Sequence, residues 1–314
     1  MRNRLLTVFG GTGFIGRHVV RRLAEQGARL RVVSRNPPCA GHLQPMGRVG
    51  QIVVESADLT DETALTSLLA GTDAVINLIG ILYETRRQRF TEIHGELPGR
   101  IARAATAAGV ERLVHLSAIG ADPQATSAYG RSKAAGEAAV RDAFAAATIL
   151  RPSIVVGPED GFFNRFAAMA RVLPVLPLIG GGHTRFQPIY VGDVAMAIVA
   201  ALANAEAQNQ TYQLGGPRVY SFTELMRYML SVVERRRLLV PLPFEIAALQ
   251  ARLLELLPVP PLTRDQVELL KVDNIVAEGA PHLLDLGVSP TPIELVVPEY
   301  LARYRARPVS AMRF

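Results

Sequence analysis

The sequence predicts an α/β protein, a doubly wound parallel sheet followed by a smaller C-terminal, substrate-side lobe. Three observations carry this expectation. Short β-rich runs alternate with helical patterns through the first half of the chain. Those runs are apolar on both faces, as strands must be when helices cover both sides of a parallel sheet. After about residue 152 the alternation loosens, and prolines cluster at 174–188, 241–243, 258–261 and 290–298. The expected division is therefore 1–152 for the sheet and 153–314 for the lobe.

Taken in order, strands are expected at 4–9 "RLLTVF", 29–34 "RLRVVS", 51–55 "QIVVE", 73–79 "DAVINLI", 112–117 "RLVHLS" and 147–151. Helices are expected between most of them, at 14–26, 61–70, 97–108 and 128–145. In the first helix Ile15, Val19 and Leu23 recur at intervals of four, which gives one buried stripe. Beyond residue 152 helical patterns fall at 193–205, 222–235 and 244–257. A doubly wound sheet places its ligand at the carboxyl ends of the strands.

Composition sets the outer bounds. The 314 residues are 49% hydrophobic and 20% charged, enough apolar matter for a globular core. The formal charge of +6 and a pI near 9.8 fit an acidic partner, an anionic ligand or simply a solvated basic surface. Aromatic residues are few and tryptophan is absent, which argues against a base-stacking nucleic-acid platform. A lone Cys39 forms no internal disulfide, so a reducing compartment such as the cytoplasm is expected. A strand beginning at residue 4 leaves little room for a leader, and no apolar run reaches the roughly 20 residues that span a bilayer. Membrane association is expected to be peripheral at most.

The six histidines are scattered without metal-ligand spacing, so no metal site is expected. The basic runs "TRRQR" at 85–89 and "ERRRL" at 234–238 would face acidic protein, lipid headgroups or solvent. The stretch "FEIAALQARLLELL" at 244–257 is amphipathic, suited to packing on its own lobe or to lying on a membrane surface.

The chemistry begins at "FGGTGFIG". Gly11, Gly13 and Gly16 fit G-x-G-x-x-G, and Gly10, Gly13 and Gly16 fit the related G-x-x-G-x-x-G, between a strand and a helix. Glycines there let the chain turn, let backbone approach a pyrophosphate and let helix pack on strand, while the helix N-terminus offers N–H groups to phosphate. Residues Gly10 to Gly16, with Thr12, Phe14 and Ile15 between the glycines, are thus expected to bind a dinucleotide in a Rossmann-type domain. The second strand ends in Ser34 and Arg35, where an acidic residue would select NAD. An arginine there suits a 2′-phosphate, so NADP(H) is expected over NAD(H). Asp58 and Leu59 are expected near adenine. Asn77, Leu78, Ile79 and Gly80 should border the dinucleotide, with Pro152, Ser153 and Ile154 completing its contacts.

Of 34 basic side chains only Lys133 and Lys271 are lysines. Tyr129 and Lys133 stand i, i+4 on an expected helix and so share a face. An ammonium beside a phenol favours phenolate, which prepares the tyrosine to exchange a proton with a carbonyl or alcohol while nicotinamide exchanges hydride. A planar guanidinium does not replace a compact ammonium that must touch a phenol and a ribose hydroxyl together.

"GGTGFIG", "HLS" and "YGRSK" resemble the extended or atypical short-chain dehydrogenases/reductases, the NAD-dependent epimerase/dehydratase-like group. The resemblance implies a Ser–Tyr–Lys set, here Ser117, Tyr129 and Lys133. It also exposes a departure, because the strand-end hydroxyl usually comes second in a Ser-Ser or Thr-Ser pair and this chain has Ser117–Ala118. Losing one oxyanion donor costs about 10²–10³ in rate, unless Ser117, Thr126 or Ser127 compensates. Longer phrases, "VINLIG", "RPSIVVGPEDGFFNRF", "RFQPIYVGDVA", "LTRDQVELLKVDN" and "DLGVSPTPIEL", resemble the NADPH-binding accessory subunits of respiratory complex I (alpha-subcomplex subunit nine) and their bacterial relatives. That narrower resemblance implies a structural NADPH and complex I partners near the quinone site, peripheral on the inner face of the respiratory membrane. The alternative is a free-standing NAD(P)-dependent oxidoreductase or epimerase acting through Tyr129 and Lys133.

Overall fold

The computed structural model describes residues 1–305. The chain divides into two compact units. The first comprises 1–152, 191–214 and 276–289; the second comprises 153–190, 215–275 and 290–305.

In the first unit seven strands form one sheet: β1 (Leu5–Phe9), β2 (Arg29–Val33), β3 (Ile52–Glu55), β4 (Ala74–Asn77), β5 (Arg112–Leu116), β6 (Thr148–Pro152) and β7 (Thr211–Leu214). Every pairing is parallel, in the order β7-β6-β5-β4-β1-β2-β3. The chain works outward from β1 in one direction and then restarts at β4 on its other side. Adjacent loops therefore diverge at the carboxyl ends of β1 and β4, opening the crevice where such sheets take ligands. Six of these strands stand where the apolar runs place them. The seventh comes from beyond residue 152, with the helix Val191–Ala203, so the later part of the chain completes the first unit.

The covering helices are α1 (Phe14–Glu25), α2 (Glu62–Leu69), α3 (Leu97–Ala107), α4 (Ala128–Ala143) and α5 (Val191–Ala203). Two of them begin at a side-chain cap. Asp61 caps α2 by accepting from Thr63 and Ala64, and Ser127 caps α4 by accepting from Gly130. Helix α1 starts at Gly13 with no side-chain cap. Beneath α2 and α3, Phe9, Leu65, Leu69, Val75, Leu97, Ile101 and Leu113 form a dry core.

Helix α3 is preceded by a π-helical segment, Thr91–Glu96, which α4 approaches closely enough to require glycine. A Cβ placed on Gly136 would lie 1.9 Å from the carbonyl oxygen of His94. The second unit holds its own aromatic core of Phe163, Phe186, Tyr220 and Phe222 with Met226 and Met229. It contains a parallel pair of strands, Val175–Ile179 and Leu238–Leu242, and the helices Phe163–Val172, Phe222–Val232, Phe244–Leu254, Arg264–Leu269 and Ile293–Leu301.

The α4 contact generates a stability prediction. Gly136→Ala drives a methyl into backbone and should cost about 2 kcal/mol or more. Gly95→Ala, whose Cβ would meet nothing closer than 3.9 Å, should be neutral or mildly stabilising. Urea unfolding of the two variants separates them; equal losses would mean that α4 does not approach His94 so closely.

Candidate functional site

The loop after β1 packs against the end of β4. Gly10 takes φ +76°, and a Cβ there would meet the carbonyl carbon of Leu78 at 3.0 Å and the nitrogen of Ile79 at 3.1 Å. A Cβ on Gly11 would fall 2.8 Å from Val32, and one on Gly16 only 2.2 Å from the Gly10 oxygen. These three glycines are explained by the chain's own packing. Gly13 is different: its backbone is extended (φ −75°, ψ −178°), it is exposed, and a Cβ would find only the Gly10 oxygen, at 3.3 Å.

The protein's own packing asks less for glycine at position 13 than at 10, 11 or 16, since the Gly10 oxygen would have to give by only a few tenths of an ångström. The demand fits a group arriving from outside, opposite the uncapped N-terminus of α1, where the first-turn N–H groups of Phe14, Ile15 and Gly16 have no intrahelical partner. A pyrophosphate meets these conditions in size and charge, so the residues present fit a dinucleotide.

Flanking positions are arranged around this loop. Ser34 continues β2 by donating its N–H to the Glu55 carbonyl at 2.9 Å, and its hydroxyl accepts from the Asn36 N–H. Arg35 is exposed beside it. Asp58 is exposed too, and its carboxylate is held below the usual range chiefly by the Thr60 hydroxyl, then by the Thr60 N–H. Leu59 packs partly against the core of the first unit. Asn77 is spent internally: its Oδ1 accepts from Ile79 and its Nδ2 meets His115 Nδ1 at 3.2 Å. Pro152 ends β6, its carbonyl accepting from Ile119. Ser153 and Ile154 belong to the second unit, where the Ser153 hydroxyl contacts the Asn274 carbonyl and side-chain oxygens at 2.8 and 2.7 Å.

Tyr129 and Lys133 do share a face of α4, with Nζ of Lys133 5.9 Å from the Tyr129 ring centroid. Lys133 is 4% exposed and donates to the Leu116 carbonyl at 3.2 Å. A Cβ on Gly80 would lie 3.5 Å from that Nζ, so the end of β4 also reaches the lysine. Burial pulls the Lys133 pKa down to about 8, with the carboxylate of Glu137 opposing the shift. Glu137 is itself paired with Arg151 through two hydrogen bonds of 2.9 and 2.6 Å.

Two histidines that sequence reasoning passed over complete the surroundings. His94 accepts from the Ile81 N–H at Nε2 (3.0 Å), which places its proton on Nδ1 and toward the Ser132 hydroxyl (3.1 Å). Ser132 in turn donates to the Tyr129 carbonyl at 2.8 Å. Phe90 and His94 each meet the Tyr129 ring edge-on, at 5.8 and 5.2 Å. Burial, then Lys133 and His115, hold the His94 pKa near 2; burial and Lys133 hold His115 near 3. Both rings are neutral throughout the physiological range. Only the π-helical insertion signals His94, and a sequence does not announce such an insertion.

The hydroxyl question is partly answered by geometry. Ser127 caps α4 and is buried, so its oxygen is committed; Thr126 is exposed. Ser117 Oγ and His115 Nε2 are, among the described residues, the buried side-chain atoms with no hydrogen-bond partner. His115 lies on β5 and Ser117 is the first residue past its end. No group of three or more His, Cys, Asp or Glu side chains suited to a metal occurs among the described residues.

Comparison with known proteins follows the same lines. The model of the NAD dependent epimerase/dehydratase family matches residues 6–215. The chain is 38% identical over 311 residues to the mitochondrial NADH dehydrogenase [ubiquinone] 1 alpha subcomplex subunit 9 of Arabidopsis thaliana, covering 95% of this chain and 77% of that protein. It is 34% identical over 245 residues to a ceramide reductase of Caulobacter vibrioides, covering 76% and 74% respectively. Among solved structures it resembles the dTDP-glucose 4,6-dehydratase DesIV of Streptomyces venezuelae with NAD and TYD bound, at TM-score 0.72 and 19% identity over 96% of each chain. That likeness is one of fold.

The buried lysine makes stability depend on pH. Lysine in the unfolded chain titrates near 10.5 and Lys133 in the folded chain near 8. Between those values the unfolded chain binds the extra proton, so the nucleotide-free protein gains stability as pH rises through this window; below it, the folded chain carries the full cost of the buried ammonium. Lys133→Met should therefore be the more stable form at neutral pH, with its advantage shrinking by about 3 kcal/mol toward pH ~10.5. Urea unfolding across the window measures this. A constant difference would show that the ammonium is not desolvated.

Proposed function

The chain belongs to the NAD dependent epimerase/dehydratase family, and we propose that it is an NADP(H)-binding member serving as an accessory or assembly subunit of respiratory complex I, its nucleotide held structurally. The observation that carries this reading is 38% identity along 95% of the chain to a complex I alpha-subcomplex subunit. Its partners would be complex I subunits near the quinone site, and it would lie peripherally at the respiratory membrane.

In this reading the first-turn N–H groups at Gly13–Gly16 hold the pyrophosphate, and Arg35 pairs with the 2′-phosphate. Asp58 and Leu59 border adenine, and Leu78–Gly80 line the path of the dinucleotide. Lys133 offers its ammonium to ribose hydroxyls. Asn77 acts indirectly, by fixing the turn at Ile79. When bound, the nicotinamide ring would give or accept hydride.

A second reading has a specific observation behind it, the 34% identity to a ceramide reductase together with Tyr129 and Lys133 on one helix face. The protein would then be a free-standing oxidoreductase or epimerase. Tyr129 would pass a proton to or from a carbonyl oxygen, Lys133 would favour its phenolate, and Ser117 would polarise the substrate.

For the cofactor, NADPH should bind at least about tenfold more tightly than NADH, the contribution of one charge-assisted phosphate contact. Arg35→Asp should erase or reverse the preference. Calorimetry giving equal affinities in the parent protein would remove the case for NADP(H).

Scaffold and enzyme separate on two other variants. Tyr129→Phe deletes a proton donor but keeps the ring against Phe90 and His94, so it should still bind NADPH and co-purify with complex I. Gly13→Val suits the extended backbone but blocks the phosphate, so it should fold, fail to bind NADPH and be recovered poorly with the complex. If the parent oxidises NADPH with a carbonyl substrate, Tyr129→Phe abolishes that turnover and no complex I subunit co-purifies, the reductase reading replaces the scaffold.

A further inference from the structure

The helix Phe244–Leu254 in the second unit faces the wrong way for a soluble protein. Its buried residues are the small ones, Ala247 and Ala251, packed with Ile179 and Val267. Its large aliphatic residues point outward: Ile246 is 48% exposed, Leu249 64%, Leu253 66%, Leu256 82%, Leu257 49% and Val259 70%. Ile246, Leu249, Leu253 and Leu257 recur at three and four residues, so they lie in one row along the helix and its C-terminal extension. Single exposed leucines need no explanation, but a row of them does. The concentration is local: eleven of the nineteen large hydrophobic residues exposed among the described residues fall in 172–175 and 238–259.

We infer that this helix is a membrane-surface element that inserts its leucine row into the interface of an anionic phospholipid bilayer. Two observations choose lipid over a protein partner. The first is the chemistry of the row, which is wholly aliphatic. Protein interfaces concentrate their binding energy in Trp, Tyr and Arg, and leucine and valine are under-represented among their hot spots, whereas burial in acyl chains rewards aliphatic area alone.

The second observation is charge. Residues 171–175 and 234–264 carry six arginines against three glutamates. Glu255 pairs with Arg264, itself one of the six, and Glu234 with Arg305, which leaves five arginines against Glu245. Arg252 is exposed on the helix itself, at the flank of the leucine row, where it can meet a phosphate headgroup. The helix has 11 residues and no helix among the described residues is long and apolar enough to cross a membrane, so the contact is a shallow one in the interfacial plane. This inference rests on the second unit alone and holds whether or not the nucleotide and complex I readings do.

The absence of tryptophan supplies a clean probe. Leu253→Trp adds a single reporter to the row without removing apolar area, and Leu284→Trp, at an exposed site in the first unit, serves as the control. With vesicles of phosphatidylglycerol and phosphatidylcholine, and no complex I present, the Leu253→Trp emission should shift to the blue and be quenched by brominated acyl chains. The control should show neither change.

In flotation with the same vesicles, Leu249→Ser with Leu253→Ser should lower partitioning at least about tenfold. Arg252→Gln should lower it about fivefold on anionic vesicles and leave binding to pure phosphatidylcholine unchanged. Thermal unfolding checks that the serine variant is folded. The inference is overturned if the parent does not float, if Leu253→Trp reports no change, or if the serine variant floats like the parent. It is equally overturned if the parent is a dimer that the serine variant converts to monomer, because a second copy then covers the row.

Discussion

Around the candidate site the structure answers to one constraint, an ammonium held almost wholly out of water. Lys133 is balanced by the Leu116 carbonyl and by Glu137 four residues on, and Glu137 is anchored in turn by Arg151. Burial first, and the buried cation after it, keep His94 and His115 neutral, and their hydrogen bonds are those of neutral rings. Neutrality lets His94 accept from Ile81 and donate toward Ser132, joining the end of β4 to the first turns of α4. The other lysine, Lys271, lies at the surface against Glu268, in a setting an arginine would serve as well. An arginine at 133 would bring a larger planar group with five donors into a space that supplies one carbonyl.

The glycine loop shows the difference between what folding demands and what binding demands. Gly10, Gly11 and Gly16 are required by neighbouring backbone and Val32. Gly13 is the least constrained of the four, and its exposure beside the uncapped start of α1 is the part of the motif that speaks of a ligand more than of packing. A motif read as a string gives all four glycines equal weight. The structure separates them.

Much of the fold was legible because buried parallel strands and their helices have distinct periods, and because the glycine loop marks the start of α1 in the sequence itself. β7 was not legible: it has only four residues, two of them polar, and as an edge strand it needs no continuous apolar run. In the site, the glycine loop, Tyr129 and Lys133 could be read from spacing. His94 and His115 could not, since a single histidine has no pattern and each acquires its meaning from partners about forty residues away in sequence. Ser127 looked like a spare hydroxyl because capping is decided by where the helix begins. The stretch 244–257 carries a further lesson. Its periodicity marked it as amphipathic, but a period has no sign: the alanines pack inward and the leucines point out.

The balance between holding a nucleotide and reacting with it turns on hydroxyls at the end of β5. Parts that would hold a dinucleotide are present together in the first unit: the open loop, the uncapped helix, the turn fixed by Asn77 and the buried ammonium. Tyr129 and Lys133, the pair that would exchange a proton in a reductase, share a helix face as well. What the chain lacks is a second strand-end hydroxyl, because Ala118 stands there, Ser127 is consumed by its cap and Ser117 Oγ is buried without a partner. Binding energy survives the loss of such a donor, because the ground state does not use it. Transition-state stabilisation does not, at a cost of about 10²–10³ in rate. A site that keeps the first set and thins the second is what selection for a structural nucleotide would leave behind, and it is the physical sense in which scaffold and enzyme differ here by single oxygen atoms.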